Sequence, residues 1–258
     1  MMEDSKKNDR LRLVIGWLYP KYMSTYGDRG NILTLWQRCH WRNIDVTVKE
    51  IDLEDKINPA YIDLYFFGGG QDQAQKIISS DLQTIKRGQL RKAVRLGAVF
   101  LGICGGYQLF GHYYRPANEM DIPGIGILDV ITTAGNKRMI GNIVVETNEK
   151  LKFKKERLMV GFENHSGKTY LGKRATPLGN VVVGFGNNGE DRTEGAYQGN
   201  VFGCYLHGPL LPKNPEFADL LIERALEKKY GHVDLTQIDD TLELETQGNV
   251  IERAKKIQ

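Results

Sequence analysis

Strand-like and helix-like segments alternate along the first part of the chain, and this alternation limits the possible folds more than any other feature. Leu11–Leu18 and Asp45–Ile51 have the patterns of strands, and the residues between them place apolar side chains at helical spacing. Ala98–Ile103 is continuously apolar, which is typical of a parallel strand buried on both faces. Strands separated by helices form right-handed βαβ units. We therefore expect an α/β fold with a mostly parallel central sheet, helices on both of its faces, and ligands at the carboxyl ends of its strands.

The second half of the chain has a different pattern. Between Ile125 and His207 helical periodicity is scarce, and short β-rich runs are separated by Gly and Asn turns. We expect additional antiparallel strands there, which either continue the central sheet or flank it. Pro215–Tyr230 has the spacing of an amphipathic helix. The charged segment after it predicts a further helix that packs loosely or against a partner.

These patterns predict one principal domain. The chain has 258 residues, 41% of them hydrophobic, which is enough for a large α/β domain with a buried core. We find no repeat and no linker rich in Gly, Ser or Pro that would divide it. We expect a disordered leader over residues 1–10, a folded domain over 11–231 and a helical tail over 232–258.

Charge and cysteine usage predict the compartment. Lys and Arg total 35 against 32 Asp and Glu, and a formal charge of only +3 argues against nucleic acid as the main partner. The charged start lacks the apolar stretch of a secretory signal, and the longest apolar runs fall short of the ~20 residues that span a bilayer. The three cysteines form no CxxC pair, as in reduced intracellular proteins. We expect a cytoplasmic protein without membrane insertion.

The segment Gly102–Gly106 contains the strongest chemical signal. It places Cys104 between a buried strand and a helix-like segment, with glycines nearby on both sides. This is the layout of a nucleophile elbow, in which the nucleophile occupies strained backbone and the next backbone N–H points at a developing oxyanion. The helix terminus would also lower the pKa of the thiol. We predict that Cys104 is a thiolate nucleophile and Gly105 an oxyanion donor; the alternative is a buried structural cysteine in a glycine-rich turn.

A thiol nucleophile requires a base, and one of the five histidines is well placed for this role. His207 ends the apolar run NVFGCYL and is followed by Gly208 and Pro209, which stop the strand. A residue at a strand end can lie beside Cys104 in space although the two are far apart in sequence, as is common in Cys–His catalysts. We predict that His207 is the base, with His165 as its rival and a structural strand-end histidine as the alternative.

A second glycine-rich turn closes another predicted strand. In FFGGGQ, the glycines Gly68–Gly70 allow the close approach of a ligand and can donate N–H groups to an oxyanion. We expect Gly70 to complete the oxyanion hole, although three glycines can also form only a tight turn.

One segment resembles a nucleotide site without meeting its requirements. Gly167–Thr169 matches the end of a phosphate-binding loop, but that motif requires a glycine where this chain has Phe162. We therefore predict no nucleotide site in this chain.

Several segments together resemble one enzyme family. GICGGYQ, YLHGP and GFENHSGKT are similar to the cobyric acid synthase type of class I glutamine amidotransferase. Within that group, TYGDRGNI, FFGGGQDQ and GFGNNGED resemble the glutamine-hydrolysing subunits of lipid II isoglutaminyl synthase. The resemblance extends from Leu11 to about Tyr230 and implies the flavodoxin-like fold of class I glutamine amidotransferases.

The resemblance also assigns roles to individual residues. It implies that Cys104 forms a thioester with glutamine, that His207 is the catalytic histidine, and that the two glycine turns form the oxyanion site. It implies that Arg138 holds the α-carboxylate of glutamine and that Gln108 contacts the substrate. It implies neither a metal nor a cofactor in this chain.

One position departs from the usual pattern of the family. The class I triad has a glutamate two residues after the histidine, and this chain has Pro209 there. An acid from a partner, an acid from this chain such as Glu163, or a Cys–His dyad remain alternatives. The resemblance implies a heterodimer with a MurT-like subunit of the Mur ligase family, which would bind ATP, Mg and lipid II. This chain would supply the ammonia that amidates the D-glutamate α-carboxyl of the lipid II stem peptide.

Two other functions remain open at the level of the sequence. A stand-alone cysteine amidase or peptidase on a related sheet would require a complete local triad, and the missing acid beside His207 argues against it. A non-catalytic binding subunit of the same fold would have no need to retain Cys104, His207 and Arg138 together.

Overall fold

A computed structural model describes residues 10–153 and 157–256, so most of the predicted leader and the end of the predicted tail lie outside the described residues. The strands in these ranges are β1 (Arg12–Leu18), β2 (Asp45–Ile51), β3 (Leu64–Phe67), β4 (Val99–Ile103), β5 (Tyr113–Arg115), β6 (Ile122–Pro123), β7 (Val130–Thr147), β8 (Leu158–Leu171), β9 (Gly179–Val183), β10 (Thr193–Glu194), β11 (Ala196–Gln198) and β12 (Val201–Cys204). The α-helices are α1 (Arg29–Trp41), α2 (Asp72–Asp81), α3 (Arg87–Arg95), α4 (Gly105–Phe110), α5 (Pro215–Tyr230) and α6 (Thr241–Lys256). Leu82–Lys86 forms a π-helical turn, and 3₁₀ turns cover Glu149–Leu151 and Leu211–Lys213.

The first sheet is the predicted parallel sheet. Its strands lie in the order β11-β12-β4-β3-β1-β2, and neighbouring strands are parallel except for β11 and β12. All residues of β3 and β4 are buried, which explains their continuous apolar sequences. The carboxyl ends of β3, β4 and β12 meet at one edge of the sheet, and the glycine turn, Cys104 and His207 follow these strands.

Helices cover both faces of this sheet, as predicted. Successive residues of β1 point to opposite faces, so Leu13 and Ile15 pack with α1 and α5, whereas Val14 packs with α2 and α3. The core therefore consists of an apolar layer on each side of the sheet. None of the helices in the described ranges combines the length and the apolar character that a membrane crossing requires.

Most of the predicted antiparallel strands form a second sheet, whereas β11 and β12, from the end of the same stretch of sequence, extend the first. The long strand β7 pairs antiparallel with β8 on one edge and with β9 on the other, whereas β5 joins β7 in parallel. The register of β7 with β8 shifts between Ala134 and Met139, a segment that includes Arg138. Phe162 of β8 also forms an isolated bridge with His207. This bridge brings the second sheet against the carboxyl edge of the first.

The helix predicted for the tail is present and packs on its own chain. Ala254 of α6 is 2% exposed and lies against valines of β7, β8 and β9. The side-chain amide of Gln247 donates to the carbonyl oxygens of Leu158 and Lys213, both at 3.1 Å. Contacts with the second sheet therefore hold α6, which is more firmly packed than the charged sequence of the tail indicates.

A buried ionic cluster connects the tail to two other helices. Arg38 of α1 is 1% exposed, and its guanidinium donates to both carboxylate oxygens of Asp219 in α5 at 2.7 Å. Arg38 also donates to Asp240, just before α6, at 2.6 Å. Arg42 adds a further bond to Asp219 at 2.6 Å. Because a buried charge is costly unless it is paired, this cluster fixes α1, α5 and the start of α6 relative to one another.

Candidate active site

Cys104 occupies the sharp turn between β4 and α4. Its backbone has φ +50° and ψ −105°, a conformation that non-glycine residues rarely adopt. Its N–H donates to the carbonyl oxygen of Cys204 in β12 at 2.8 Å, which anchors the turn to the neighbouring strand. A Cβ atom at Gly106 would lie 2.2 Å from the carbonyl oxygen of Phe67, so a glycine is needed for β3 to approach this closely. The geometry is that of a nucleophile elbow.

The glycine turn after β3 lies directly against this elbow. A Cβ atom at Gly105 would be 2.8 Å from the carbonyl oxygen of Gly70 and 3.0 Å from its nitrogen. The N–H of Gly106 donates to the carbonyl oxygen of Gly68 at 3.1 Å. The Gly70 peptide therefore lies beside Gly105, the residue after Cys104, so the N–H groups of Gly70 and Gly105 are candidates for the two donors of an oxyanion hole.

The surroundings of Cys104 favour its neutral thiol. Burial raises the pKa of the thiol, and the negative charge of Asp28 raises it further. The N–H of Gly105 and the charge of Arg138 lower this pKa without outweighing burial. The residue as a whole keeps partial exposure, but protein encloses the sulfur. The N–H of Gly105 at the start of α4 lowers the pKa, as predicted from the helix terminus, but burial outweighs it, so the net lowering that the sequence predicts is not found and a base is needed to remove the thiol proton.

His207 reaches the same edge of the sheet three residues after β12. Because Cys204 of β12 lies opposite Ile103 of β4, the chain that follows β12 runs beside the elbow. The backbone of His207 exchanges hydrogen bonds with Phe162 at 2.9 and 3.2 Å. Neither ring nitrogen of His207 has a hydrogen-bond partner among the described residues. Burial, helped by His165, lowers the pKa of His207 to about 3, so the ring is neutral but is a weak base in this chain alone.

Glu163, the acid of this chain that the sequence suggested for the triad, is directed elsewhere. Its carboxylate accepts hydrogen bonds from the N–H groups of Phe185 and Gly186 at 2.8 and 2.9 Å. One of its oxygens lies 4.0 Å from Nε2 of His165. Burial raises the pKa of Glu163 to about 7. Glu163 therefore faces His165 and makes no hydrogen bond to His207.

Arg138 lies at the mouth of the site and is connected to His207 through two further side chains. Its Nε donates to the side-chain oxygen of Asn164 at 2.6 Å, and the amide nitrogen of Asn164 donates to the hydroxyl of Tyr26 at 2.9 Å. The ring of Tyr26 meets that of His207 edge-on, with centroids 5.0 Å apart. The charge of Arg138 also acts on Cys104. Sequence reasoning missed Tyr26 and Asn164, whose only signal was their position inside the segments TYGDRGNI and GFENHSGKT.

Gln108 is part of a buried polar network. Its amide oxygen accepts from the amide of Gln75 at 2.9 Å, and its nitrogen donates to the hydroxyl of Tyr205 at 3.2 Å. The same hydroxyl bonds to Thr169 at 2.7 Å, and the ring of Tyr205 stacks on that of His165 with centroids 3.5 Å apart. A contact between Gln108 and a substrate would therefore have to compete with existing bonds. His165, the rival base, is held in the same packing.

Comparisons with known proteins assign the chain to a family. Residues 14–215 match the CobB/CobQ-like glutamine amidotransferase domain. The chain is 40% identical over 234 residues to the lipid II isoglutaminyl synthase (glutamine-hydrolyzing) subunit GatD of Staphylococcus aureus, covering 91% of this chain and 93% of that protein. It is 42% identical over 236 residues to the GatD subunit of Streptococcus pneumoniae, covering 91% and 88%. The chain belongs to the CobB/CobQ-like glutamine amidotransferase family, which confirms the resemblance seen in its motifs.

Solved structures agree on the fold. A crystal structure of a glutamine amidotransferase superposes with a TM-score of 0.56 at 15% identity, covering 82% of this chain and 98% of that chain. A glutamine amidotransferase from Thermotoga maritima gives a TM-score of 0.51 at 19% identity, covering 96% and 94%. At these identities the likeness concerns the fold alone, and it confirms the predicted class I glutamine amidotransferase fold.

Proposed function

We propose that this chain is the glutaminase subunit of a lipid II isoglutaminyl synthase and acts in peptidoglycan biosynthesis. It hydrolyses L-glutamine and passes the ammonia to a MurT-like ligase subunit, which binds ATP, Mg and lipid II and amidates the D-glutamate α-carboxyl of the stem peptide. One observation carries the proposal: Cys104, Gly70 and His207 meet at one sheet edge, in a chain similar over 91% of its length to two GatD subunits. The three free cysteines fit the reducing cytoplasm.

The chemistry follows from the order of these groups around the thiol. His207 accepts the thiol proton while the sulfur of Cys104 attacks the side-chain amide carbon of glutamine, and the N–H groups of Gly70 and Gly105 bind the oxyanion that forms. Collapse of this intermediate breaks the C–N bond, and His207 returns its proton to the departing ammonia. Water, deprotonated by His207, then hydrolyses the thioester and releases glutamate. Arg138 holds the α-carboxylate through paired charge-assisted hydrogen bonds.

We assign the missing acid of the triad to the ligase partner. Both ring nitrogens of His207 lack hydrogen-bond partners in the described part of the chain, and Pro209 stands where the family pattern has a glutamate. A partner carboxylate on one of these nitrogens would orient the ring, raise its pKa and make His207 a stronger base. The isolated subunit is then slow, which limits the waste of glutamine.

The test is the rate of ammonia release from glutamine by the purified chain alone and in complex with the ligase subunit. We expect a slow lone subunit, because losing the group that orients the imidazole costs on the order of 10⁴ in kcat in triad enzymes. Single replacement of interface carboxylates of the partner by alanine should identify the acid. The control is the Cys104→Ala complex, which should release no ammonia from glutamine but still amidate lipid II when free ammonium and ATP are supplied.

Each part of the proposal has its own contradicting result. A complex that releases no ammonia from glutamine would contradict the glutaminase function. A lone subunit as fast as the complex would contradict the partner-supplied acid and favour a Cys–His dyad. A complex that hydrolyses glutamine but leaves lipid II unmodified in the presence of ATP would contradict the assignment of the acceptor.

A further inference from the structure

Asp28 stands at the residue before α1, where an aspartate commonly caps a helix. Its side chain makes no capping hydrogen bond, and its backbone is helical rather than extended, with φ −52° and ψ −28°. The carboxyl group is fully buried and turns toward the catalytic edge of the first sheet instead. Asp28 therefore precedes α1 in the sequence, but its carboxyl group binds the glycine turn after β3.

Hydrogen bonds hold the middle of the Gly68–Gly70 turn to the segment that precedes α1. The N–H of Gly69 donates to Oδ2 of Asp28 at 2.5 Å, and the N–H of Thr25 donates to the carbonyl oxygen of Gly69 at 3.2 Å. Within the same segment, the N–H of Asp28 donates to the carbonyl oxygen of Thr25 at 3.2 Å. The peptide group before Gly69 is therefore held through its N–H by Asp28. The peptide group after Gly69 is held through its carbonyl oxygen by Thr25.

Close packing explains why this turn consists of glycines and why it needs such contacts. A Cβ atom at Gly68 would lie 2.4 Å from the carbonyl oxygen of Met23 and 2.8 Å from Oδ2 of Asp28. A Cβ atom at Gly69 would lie 3.0 Å from Cε1 of His207. Glycine has wide conformational freedom, so a run of glycines requires outside contacts to keep one arrangement. The carboxyl of Asp28 provides such a contact beside His207.

Neither fold stability nor thiol activation explains Asp28. Its second oxygen, Oδ1, is buried without a hydrogen-bond partner among the described residues, which is costly. Burial raises the pKa of this carboxyl to about 7. The negative charge of Asp28 raises the pKa of the Cys104 thiol and so works against the thiolate. The contacts of its carboxyl with the backbone N–H groups of Gly69 and Thr25 both serve the glycine turn and the segment bonded to it.

We propose that Asp28 is a positioning residue for glutamine hydrolysis, because its bond to the Gly69 N–H directs the next N–H, that of Gly70, toward the oxyanion. This inference rests on the proposed glutaminase function. Without the bond, the peptide plane before Gly69 could rotate, and the Thr25 contact alone would have to keep the next plane, which carries the Gly70 donor, directed at Cys104. The contact thus preorganises a donor that is used only when the oxyanion forms.

Two variants of similar shape separate the hydrogen-bond acceptor from the charge. Asp28→Asn keeps an oxygen for the Gly69 N–H, whereas Asp28→Leu has none. In the complex with the ligase subunit, Asp28→Leu should lower kcat for glutamine hydrolysis by about 10²–10³-fold with KM nearly unchanged, as expected for the loss of one oxyanion donor. Asp28→Asn should keep kcat within about tenfold of the wild type. The control is Asp45→Asn, a change at an exposed aspartate of β2.

Alkylation of Cys104 by iodoacetamide provides a second readout, because this reaction forms no oxyanion. Asp28→Leu should be alkylated at least as fast as the wild type, since the variant removes a negative charge near the thiol. Slower alkylation together with a raised KM would indicate a general distortion of the site and would contradict the positioning role.

The kinetic outcomes are equally decisive. A wild-type kcat in Asp28→Leu would overturn the inference. A loss in Asp28→Asn as large as that in Asp28→Leu would also overturn it, because the charge rather than the acceptor would then matter. Asp28→Asn is nearly isosteric with the wild type and should fold even if Asp28→Leu does not. Its kcat alone then tests the inference, because a large loss would contradict the role of the acceptor. An inactive wild-type complex would contradict the proposed function itself, whereas an active wild type with an equally active Asp28→Leu would contradict only the role of Asp28.

Discussion

Burial raises the pKa of all three cysteines of the chain, so burial alone does not distinguish the nucleophile. Cys39 and Cys204 are enclosed in the apolar core beside the first sheet. Cys104 differs because it combines a backbone N–H, that of Gly105, with a nearby positive charge, that of Arg138. Cys204 has only the N–H of Leu206, and Cys39 has only the charges of Arg38 and Arg42. The combination at Cys104 would stabilise a thiolate as it forms.

Substitution of the three cysteines should separate catalysis from packing. Cys104→Ser should lower kcat for glutamine hydrolysis by on the order of 10⁴-fold or more, because a hydroxyl at this site stays protonated. Cys39→Ala and Cys204→Ala should retain activity, although each leaves a small cavity in the core. Labelling with the glutamine analogue diazo-oxo-norleucine, followed by peptide mass spectrometry, should find one adduct on Cys104. An adduct on Cys39 or Cys204 would contradict the assignment.

Arg138 provides a second test at the scale of single residues. Arg138→Lys should fail almost as badly as Arg138→Ala, because an ammonium group does not reproduce the paired hydrogen bonds of a guanidinium to a carboxylate. We expect kcat/KM for glutamine to fall by about 10²-fold or more, mainly through KM. The control is Lys137→Ala, which removes the neighbouring charge that lies over the ring of Phe185. A near-normal KM in Arg138→Ala would mean that another group binds the α-carboxylate.

At the scale of elements, β8 carries His165 in an environment that suits only the neutral ring. Burial lowers the pKa of His165 to about 4, from an ordinary value of 6.5. Between these pH values, the unfolded chain binds a proton at His165 that the folded chain does not bind. The contribution of the neutral ring to stability is therefore complete above about pH 6.5 and is lost as the pH falls toward 4. The stacking of this ring on Tyr205 requires no charge.

Replacement of His165 by phenylalanine should therefore flatten the pH dependence of stability. Between pH 7.5 and 5.0, the free energy of unfolding of the wild type should fall by roughly 2 kcal/mol more than that of His165→Phe, which keeps an aromatic ring for the stack. Urea unfolding at the two pH values measures this difference. The exposed His232→Phe is the control and should follow the wild type. Parallel pH dependences of the wild type and His165→Phe would contradict the prediction.

The elements also indicate what the sequence can predict. The bounds of β2 and α5 agree with the sequence-based bounds, because their patterns are local. By contrast, the pattern of the sequence over Leu82–Leu96 predicts one continuous helix, whereas the segment begins with the π turn Leu82–Lys86. The wider spacing of this turn brings Lys86 onto the carboxylate of Asp81, which also accepts a hydrogen bond from the hydroxyl of Tyr19 in the interior. A buried ion pair of this kind depends on tertiary contacts, which periodicity does not contain.

The same distinction applies to the candidate site. Cys104 and the glycine turns are recognisable because each motif is contiguous in sequence. Asp28 acquires its place only when the segment before α1 meets the Gly68–Gly70 turn, and Tyr26 and Asn164 acquire theirs only when the same segment meets the second sheet. Motif reasoning therefore finds the reacting groups more readily than the side chains that position them.

At the scale of the whole molecule, the cluster around Arg38 should contribute more to stability than the surface ion pairs. Arg38→Ala should lower the free energy of unfolding by about 3 kcal/mol, because it removes the shared partner of Asp219 and Asp240. The control is Arg12→Ala, since the side chain of Arg12 is 73% exposed and lies 3.9 Å from Asp45. This change should cost less than about 1 kcal/mol. Urea unfolding of both variants measures the difference, and equal losses would contradict the prediction.

The separation of these partners along the chain affects protein synthesis. Asp219 and Asp240 follow Arg38 by 181 and 202 residues. At about 5–20 residues per second, Arg38 leaves the ribosome roughly 10–40 s before Asp240 does. During this interval, burial of the Arg38 guanidinium in α1 would be uncompensated by Asp240. The final docking of α1 must therefore wait for the tail. The segment before α1, which holds the glycine turn, must wait as well. Nascent chains would therefore contain Cys104 long before they could consume glutamine.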